Sequence, residues 1–206
     1  ADFLSGLGCR YVQGYYFYRP MAPEDFEALI SDPRRVDPRG ILLLTFTNRA
    51  AREMLERAGT LVPGLDAIWS GTFHHVCARF LRQYGSCLGY KPGFTILDED
   101  DQKKLMGQAI KENVKDIKDF QKKEFLLKLV SDAANGARDL EQVVRSYQTK
   151  TAIDPELVLK VCRAYEAKKR EQGAMDFDDL LVNGLRLLRE NGRVRNFLQD
   201  HFLHVL

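Results

Sequence analysis

The run ILLLTFT at residues 41–47 constrains the fold most, because it contains no charged residue and threonine is its only polar type. Continuous apolar runs without alternating polar positions are typical of parallel strands that are buried on both faces. Apolar residues then recur at helical spacing from Ala50 to Ala58. The segment AIWSGTF at 67–73 predicts a second strand, and another helical pattern follows it. The order strand, helix, strand, helix predicts an α/β unit built on a parallel sheet.

Residues 94–190 have an almost wholly helical pattern. Asp98, Asp154-Pro155 and Asp176 each precede an apolar pattern of helical period. Aspartate caps helix N-termini, and proline fits the first helical position. The basic run Lys168-Lys169-Arg170 falls at the end of a long helix, where the helix dipole favours positive charge. The final LHVL predicts the opening of another strand.

Two similar boxes follow the two predicted strands. They contain Thr45, Phe46, Thr47 and Asn48 after the first strand, and Thr72, Phe73 and His74 after the second. Ligands of open α/β folds gather at the carboxyl ends of the strands. Helix N-termini bind phosphates and aromatic rings stack on bases, so this mixture has the groups that sequence-independent binding of single-stranded DNA needs. The alternative is that both phenylalanines belong to the core and the threonines only to the strands. Asn48 is also expected to cap the first helix.

The ionisable residues suggest no further site. The acids at 98–101 and at 176–179 stand at predicted helix starts, where capping explains them. His201 and His204 lack a carboxylate or cysteine at ligand spacing, so no metal site is predicted. His75 is expected to be exposed or to cap a helix.

The composition excludes several classes of protein. The net charge is +2, so composition alone does not indicate a strongly basic nucleic-acid binder. The lysine-rich stretch 101–128 is interpreted as a solvated helical face. The four cysteines form no CxxC pair, which favours reduced thiols over disulfides or zinc. No apolar run approaches the roughly 20 residues of a membrane helix, and no signal peptide is visible. We therefore expect a cytoplasmic protein without membrane contact.

Four blocks, in order, resemble motifs of UvrD/PcrA/Rep-type superfamily 1 DNA helicases. The blocks are ILLLTFTNRAAREMLERAG, GTFHHVCARFLRQYG, LGYKPGFTILDEDDQ and MDFDDLL. The first two are similar to motif Ia and the TFH box, and the last two to the segments that enter and leave the helical insertion of that family. The resemblance covers residues 36–206. It implies a partial RecA-like sheet, an inserted all-helical subdomain, and contact of both boxes with DNA in an ATP-dependent 3′–5′ helicase.

The two ATP-handling motifs of that family are expected to be missing from this chain. The sequence has no glycine-rich loop ending in Gly-Lys-Thr or Gly-Lys-Ser. The chain ends at Leu206, where the strand before the DExx acidic box is expected to begin. DNA binding without ATP hydrolysis is therefore expected, with no catalytic residues, no small-molecule substrate and no cofactor. ATP and Mg²⁺ are the cofactors of the resembled family.

Residues 1–31 resemble a different family. GLGCRYVQGYYFYRPMAPEDFEALI is similar to the C-terminal end of EAL-type cyclic di-GMP phosphodiesterase domains, and Gln13 matches a glutamine near the active site of that family. The metal-binding carboxylates of an EAL enzyme have no counterpart here, so hydrolysis of cyclic di-GMP is not expected. A strand over 11–17, which is able to join the sheet, and a helix over 24–30 are predicted.

These patterns divide the chain into four predicted segments. They are an EAL-like remnant and linker at 1–35, a partial RecA-like motor subdomain at 36–93, a helical insertion at 94–190, and a return toward the motor sheet at 191–206. The predicted fold class is α/β and helix-dominated. The predicted function is that of a helicase fragment that binds single-stranded DNA. The alternative is a non-functional fusion fragment, a helical domain with no ligand of its own.

Overall fold

The computed structural model describes residues 37–59, 68–115, 120–148 and 154–205. The EAL-like segment, with its predicted strand and helix, lies outside this part of the chain. The strands are β1 Ile41–Thr45, β2 Trp69–Thr72, β3 Thr95–Ile96, β4 Ala174–Met175 and β5 His204–Val205. The helices are α1 Asn48–Gly59, α2 Phe73–Tyr84, α3 Glu99–Asn113, α4 Lys123–Asn135, α5 Leu140–Gln148, α6 Pro155–Glu171, α7 Phe177–Glu190 and α8 Gly192–His201. The predicted helix-dominated α/β fold is confirmed.

The described residues form two compact units. Residues up to Gly89 and from Asn183 onward belong to the first unit, and Tyr90–Val182 form the second. The boundary on the C-terminal side falls inside α7.

A parallel three-stranded sheet with the order β2-β1-β5 forms the centre of the first unit. The apolar side chains of Ile41, Leu42 and Leu43 are buried, as expected for a strand that is covered on both faces. The strand predicted from LHVL is present as β5, which pairs in parallel with the start of β1.

Aromatic rings fill the core of the first unit beside this sheet. The ring centroids of Trp69, Phe80 and Phe202 lie 5.3–6.1 Å apart. The guanidinium group of Arg79 covers the outer face of Trp69 at 3.5 Å from its ring centroid, a favourable cation–π position. Gly184 of α7 packs directly against Cys77 of α2.

The second unit is a helical bundle with its own core. Its buried members come from α3, α4, α5 and α6, and include Leu105, Met106, Leu126, Leu129, Val143, Val158 and Tyr165. The short strands β3 and β4 pair in parallel where the chain enters and leaves the unit. The predicted caps are confirmed, because Asp98 Oδ1 accepts from Asp101 N at 2.8 Å and Asp154 Oδ1 accepts from Glu156 N at 3.0 Å.

Lys169, in the basic run at the C-terminal end of α6, does not lie on the surface. Its side chain is buried, with 2% of the residue exposed. The ammonium group contacts one carboxylate oxygen each of Asp176 and Asp179 at 2.7 Å and Glu166 at 3.0 Å. Asp176 also caps α7 as predicted, since its Oδ1 accepts from Asp179 N at 2.9 Å. We call these four side chains the Lys169 cluster.

Burial and charge act in opposite directions within the Lys169 cluster. Burial alone would lower the pKa of Lys169, but the surrounding carboxylates outweigh it and raise that pKa above its usual value. For Asp179, burial dominates and raises the pKa to about 6, although Lys169 opposes the shift. Three carboxylates around one ammonium group leave the cluster with excess negative charge when all are ionised.

Candidate nucleic-acid interface

The register of the first sheet brings the two predicted boxes together. Leu44 pairs with Gly71 and Thr45 with Thr72, so β1 and β2 end side by side. A phenylalanine directly follows each strand, Phe46 after β1 and Phe73 after β2. Their ring centroids are 5.9 Å apart, with the ring planes inclined by 50°. Two sequence-distant aromatic rings therefore meet at the carboxyl edge of the sheet.

Phe46 is 93% exposed to solvent. Burying a phenylalanine side chain is worth about 1.5–3 kcal/mol, so such exposure is unfavourable for folding. The alternative that this ring is a core aromatic is wrong. Phe73 is half-buried and lies behind Phe46. The pair presents one accessible ring supported by a second.

Threonine hydroxyls cap both helices at this edge. Thr47 Oγ1 accepts from Ala50 N at 3.1 Å, and Thr72 Oγ1 accepts from His75 N at 3.3 Å. The first cap was expected from Asn48, which is instead an exposed first residue of α1. The reason is geometric: the hydroxyl one residue earlier reaches the N–H three positions on, as an N-cap must. Each capping oxygen still carries a hydroxyl proton that can be donated.

Thr45 and His74 are less accessible than the other predicted residues. Thr45 is 8% exposed, and its Oγ1 donates to the backbone carbonyl of Thr47 at 2.9 Å. His74 is half-buried within the first turn of α2. The accessible part of the interface therefore consists chiefly of Phe46, Thr47 and Asn48, with the box at the end of β2 beside them.

Gly71 was not singled out from the sequence, yet it shapes this edge. Its φ of +153° disfavours a side chain, and a Cβ atom there would lie 2.9 Å from Cδ2 of His75. His75 is exposed and caps no helix itself; its ring packs over the bare backbone of Gly71. The glycine directly before the TFH box was the signal that close packing occurs here.

Arg49 is a cation that the sequence reasoning also missed. It lies in the first turn of α1, and its Nε is 2.9 Å from Glu53 Oε1 in an exposed ion pair. Exposed pairs of this kind contribute about 0–1 kcal/mol, so a phosphate can compete for the guanidinium group. By contrast, Lys103 and Lys104 in the lysine-rich stretch contact acids of their own helix, Glu99 and Asp101.

Within the described residues, no group of three or more histidine, cysteine or acidic side chains is arranged to hold a metal ion. No helix of that part of the chain is long and apolar enough to cross a membrane. The described cysteines, Cys77, Cys87 and Cys162, are free thiols, and burial raises the pKa of Cys77 and Cys162 to about 12.

The model of the UvrD/REP helicase N-terminal domain family matches residues 26–206 of the chain. This chain belongs to that family. The resemblance of the four sequence blocks to UvrD/PcrA-type helicases is therefore confirmed. The match begins ten residues before the predicted boundary at residue 36 and overlaps the end of the EAL-like segment.

Curated relatives of this UvrD/REP domain carry the name ATP-dependent DNA helicase PcrA. The protein of Staphylococcus aureus (strain Mu50) is 31% identical over 179 residues, and that of Bacillus subtilis (strain 168) is 34% identical over 182 residues. The match covers 86% of this chain and 24% of each relative. The chain thus spans about a quarter of the length of the curated relatives it matches.

Proposed function

We propose that this UvrD/REP helicase domain binds single-stranded DNA without sequence preference, at the carboxyl edge of β1 and β2. The main support for the proposal is the exposed Phe46 ring, which lies next to Phe73 and beside the N-termini of two helices. We further propose that the domain acts as part of an ATP-dependent 3′–5′ DNA helicase, the activity that the names of its relatives and the resemblance of its motifs suggest.

The proposed interface recognises features that all single strands share. An unpaired base offers a π-face to Phe46, and stacking on an aromatic ring tolerates every base. Phosphates can bind the N-termini of α1 and α2, the hydroxyl protons of Thr47 and Thr72, and the guanidinium group of Arg49. A base within a duplex is stacked and paired, so it can reach the ring only at the free-energy cost of unstacking and unpairing.

The near-balanced net charge of +2 sets the expected strength of binding. With so little excess positive charge, we expect dissociation constants in the micromolar range or weaker. They should rise steeply with salt, because cations that contact phosphates release counterions on binding. Fluorescence anisotropy of a labelled oligothymidylate tests this. Phe46→Ala should weaken binding by roughly 1–3 kcal/mol, the usual contribution of one stacked base.

Phe197→Ala is the matched control. Phe197 is an exposed phenylalanine of α8 in the same unit, and it contacts Tyr84 and His201 rather than either box. It should leave oligonucleotide affinity unchanged. Equal losses for both variants, or no loss for a folded Phe46→Ala, would reject the stacking role. No binding by the wild-type chain at low salt would favour a fragment with no ligand of its own.

We also propose that the 206-residue chain does not hydrolyse ATP alone. Its sequence offers no glycine-rich loop whose N–H groups and lysine hold phosphates. Its one Asp-Glu pair, Asp98-Glu99, begins α3 in the helical unit, where Asp98 Oδ1 caps the helix. Calorimetric titration with Mg-ATP, with and without oligonucleotide, should give no heat of binding. DNA-stimulated release of phosphate would contradict this.

The finer organisation of the chain is a separate proposal. We propose that residues 36–93 and 191–206 correspond to the RecA-like motor part, and that residues 94–190 correspond to the helical insertion of the family. The three-stranded parallel sheet of the first unit and the helical core of the second unit support this division. We propose that residues 1–31 derive from an EAL-type domain, on the strength of their sequence alone.

A further inference from the structure

The turn that presents Phe46 is closed by hydrogen bonds on both sides of that residue. Thr45 Oγ1 donates to the carbonyl of Thr47 at 2.9 Å, so this bond spans Phe46. The same carbonyl accepts from Ala51 N at 3.1 Å, and Thr47 Oγ1 accepts from Ala50 N at 3.1 Å. The end of β1 is thereby tied to the first turn of α1.

This arrangement keeps an apolar ring in water against its own preference. The hydrophobic effect favours burying more of the Phe46 ring against the sheet edge than its present contact with Phe73 does. The backbone on both sides of the ring must therefore be fixed. Pairing of Thr45 with Thr72 fixes the strand end, and the bond from the Thr45 hydroxyl fixes the position of Thr47 relative to it.

We propose that Thr45 is a positioning residue, whose buried hydroxyl holds the Phe46 ring outward for a base. This role rests on the proposed function. In it, Thr45 does not contact DNA itself but positions a residue that does. At 8% exposure its side chain presents almost no surface to a ligand, and its only proton is directed at Thr47.

The hydroxyl is tested by exchanging it for a methyl group of similar size. Thr45→Val keeps the branched, buried side chain and removes the donor, and the Thr47 carbonyl keeps its bond from Ala51. Thr45→Ser keeps the donor and loses the methyl group. We expect Thr45→Val to weaken binding of oligothymidylate about three- to tenfold, the range set by the loss of one hydrogen bond. Thr45→Ser should bind like the wild type.

A double-mutant cycle separates positioning from contact. In a Phe46→Ala background the ring is gone, so Thr45→Val should cause no further loss of affinity. Losses that add would mean that Thr45 contacts DNA directly, and the inference would be wrong. Normal binding by Thr45→Val, in a protein where Phe46→Ala weakens binding, would also reject the inference while leaving the proposed function intact. If Phe46→Ala itself has no effect, the proposed function fails first.

A spectroscopic measurement reports on the ring itself. With a 4-fluorophenylalanine at position 46, the fluorine resonance of the wild-type chain should show the solvent isotope shift of an exposed ring. Thr45→Val should reduce that shift, and Thr45→Ser should restore it. Thr45→Ala serves as a second hydroxyl-free variant if the valine variant does not fold. An unchanged isotope shift in a folded variant without the hydroxyl would overturn the proposal.

Discussion

Replacement of Lys169 by methionine should destabilise the chain far more than its position in a basic run suggests. The methionine keeps an unbranched apolar stem but removes the only ammonium group of the Lys169 cluster. Asp176, which is 5% exposed, then retains only neutral donors such as the hydroxyl of Tyr165. Removing one partner from a buried ion pair typically costs about 3–5 kcal/mol, because the remaining charge is left uncompensated.

The loss should depend on pH in a defined direction. The pKa of Asp179 already lies at about 6, above its usual 3.8, because burial disfavours its charge. A raised pKa means that the folded state keeps a proton which the unfolded state has released. Stability from such a group is present below pH 4 or so and is lost as pH rises through about 6. Without Lys169 the opposing attraction is gone, so the deficit of the variant should be larger at pH 7.5 than at pH 5.

Urea denaturation followed by circular dichroism at 222 nm measures these differences, and Lys168→Met is the matched control. The neighbouring Lys168 makes one ion pair, 2.7 Å from Glu112 Oε1, at a partly exposed position. Its loss should therefore cost about 0–1 kcal/mol. Equal losses for the two variants, or a Lys169→Met deficit that is independent of pH, would contradict these expectations.

Three further substitutions or titrations probe the rest of the fold. Gly184→Ala should destabilise the chain by about 1–3 kcal/mol in thermal unfolding, because the new Cβ would lie 2.8 Å from Cys77 Sγ. Cys77→Ala in the same chain should recover most of that stability, and no recovery would contradict the contact. The Asp179 carboxyl should titrate near pH 6 by NMR, and a midpoint below 4 would contradict the dominance of burial. Asp154→Ala should cost about 1 kcal/mol through loss of the helix cap, whereas Asp154→Asn should cost much less; equal costs would reject the capping role.

Features that depend on neighbouring residues in the chain could be predicted from the sequence. The burial of β1 follows from ILLL alone, and Asp98 and Asp154 cap helices because a cap involves only residues two or three positions away. The parallel sheet was also predicted, and parallel strands place their carboxyl ends at one edge. Register then determined that Phe46 and Phe73 lie side by side.

Features set by packing could not be predicted in the same way. Lys168 and Lys169 are adjacent and chemically identical, and only the return of the chain at Asp176 determines which one is buried. The choice of Thr47 over Asn48 as the cap depends on where the first helical turn begins. The need for glycine at position 71 depends on the ring of His75 in α2, which packs over the end of β2.

Binding of single-stranded DNA at the carboxyl edge of β1 and β2 can be tested directly. Titration of the isotopically labelled chain with oligothymidylate, followed through backbone amide chemical shifts, locates the bound strand residue by residue. We expect binding at this edge to give the largest changes at residues 46–50 and 72–76, and these changes should disappear in Phe46→Ala at the same oligonucleotide concentration. Changes concentrated within residues 90–182, or equal changes in the wild type and in Phe46→Ala, would contradict it.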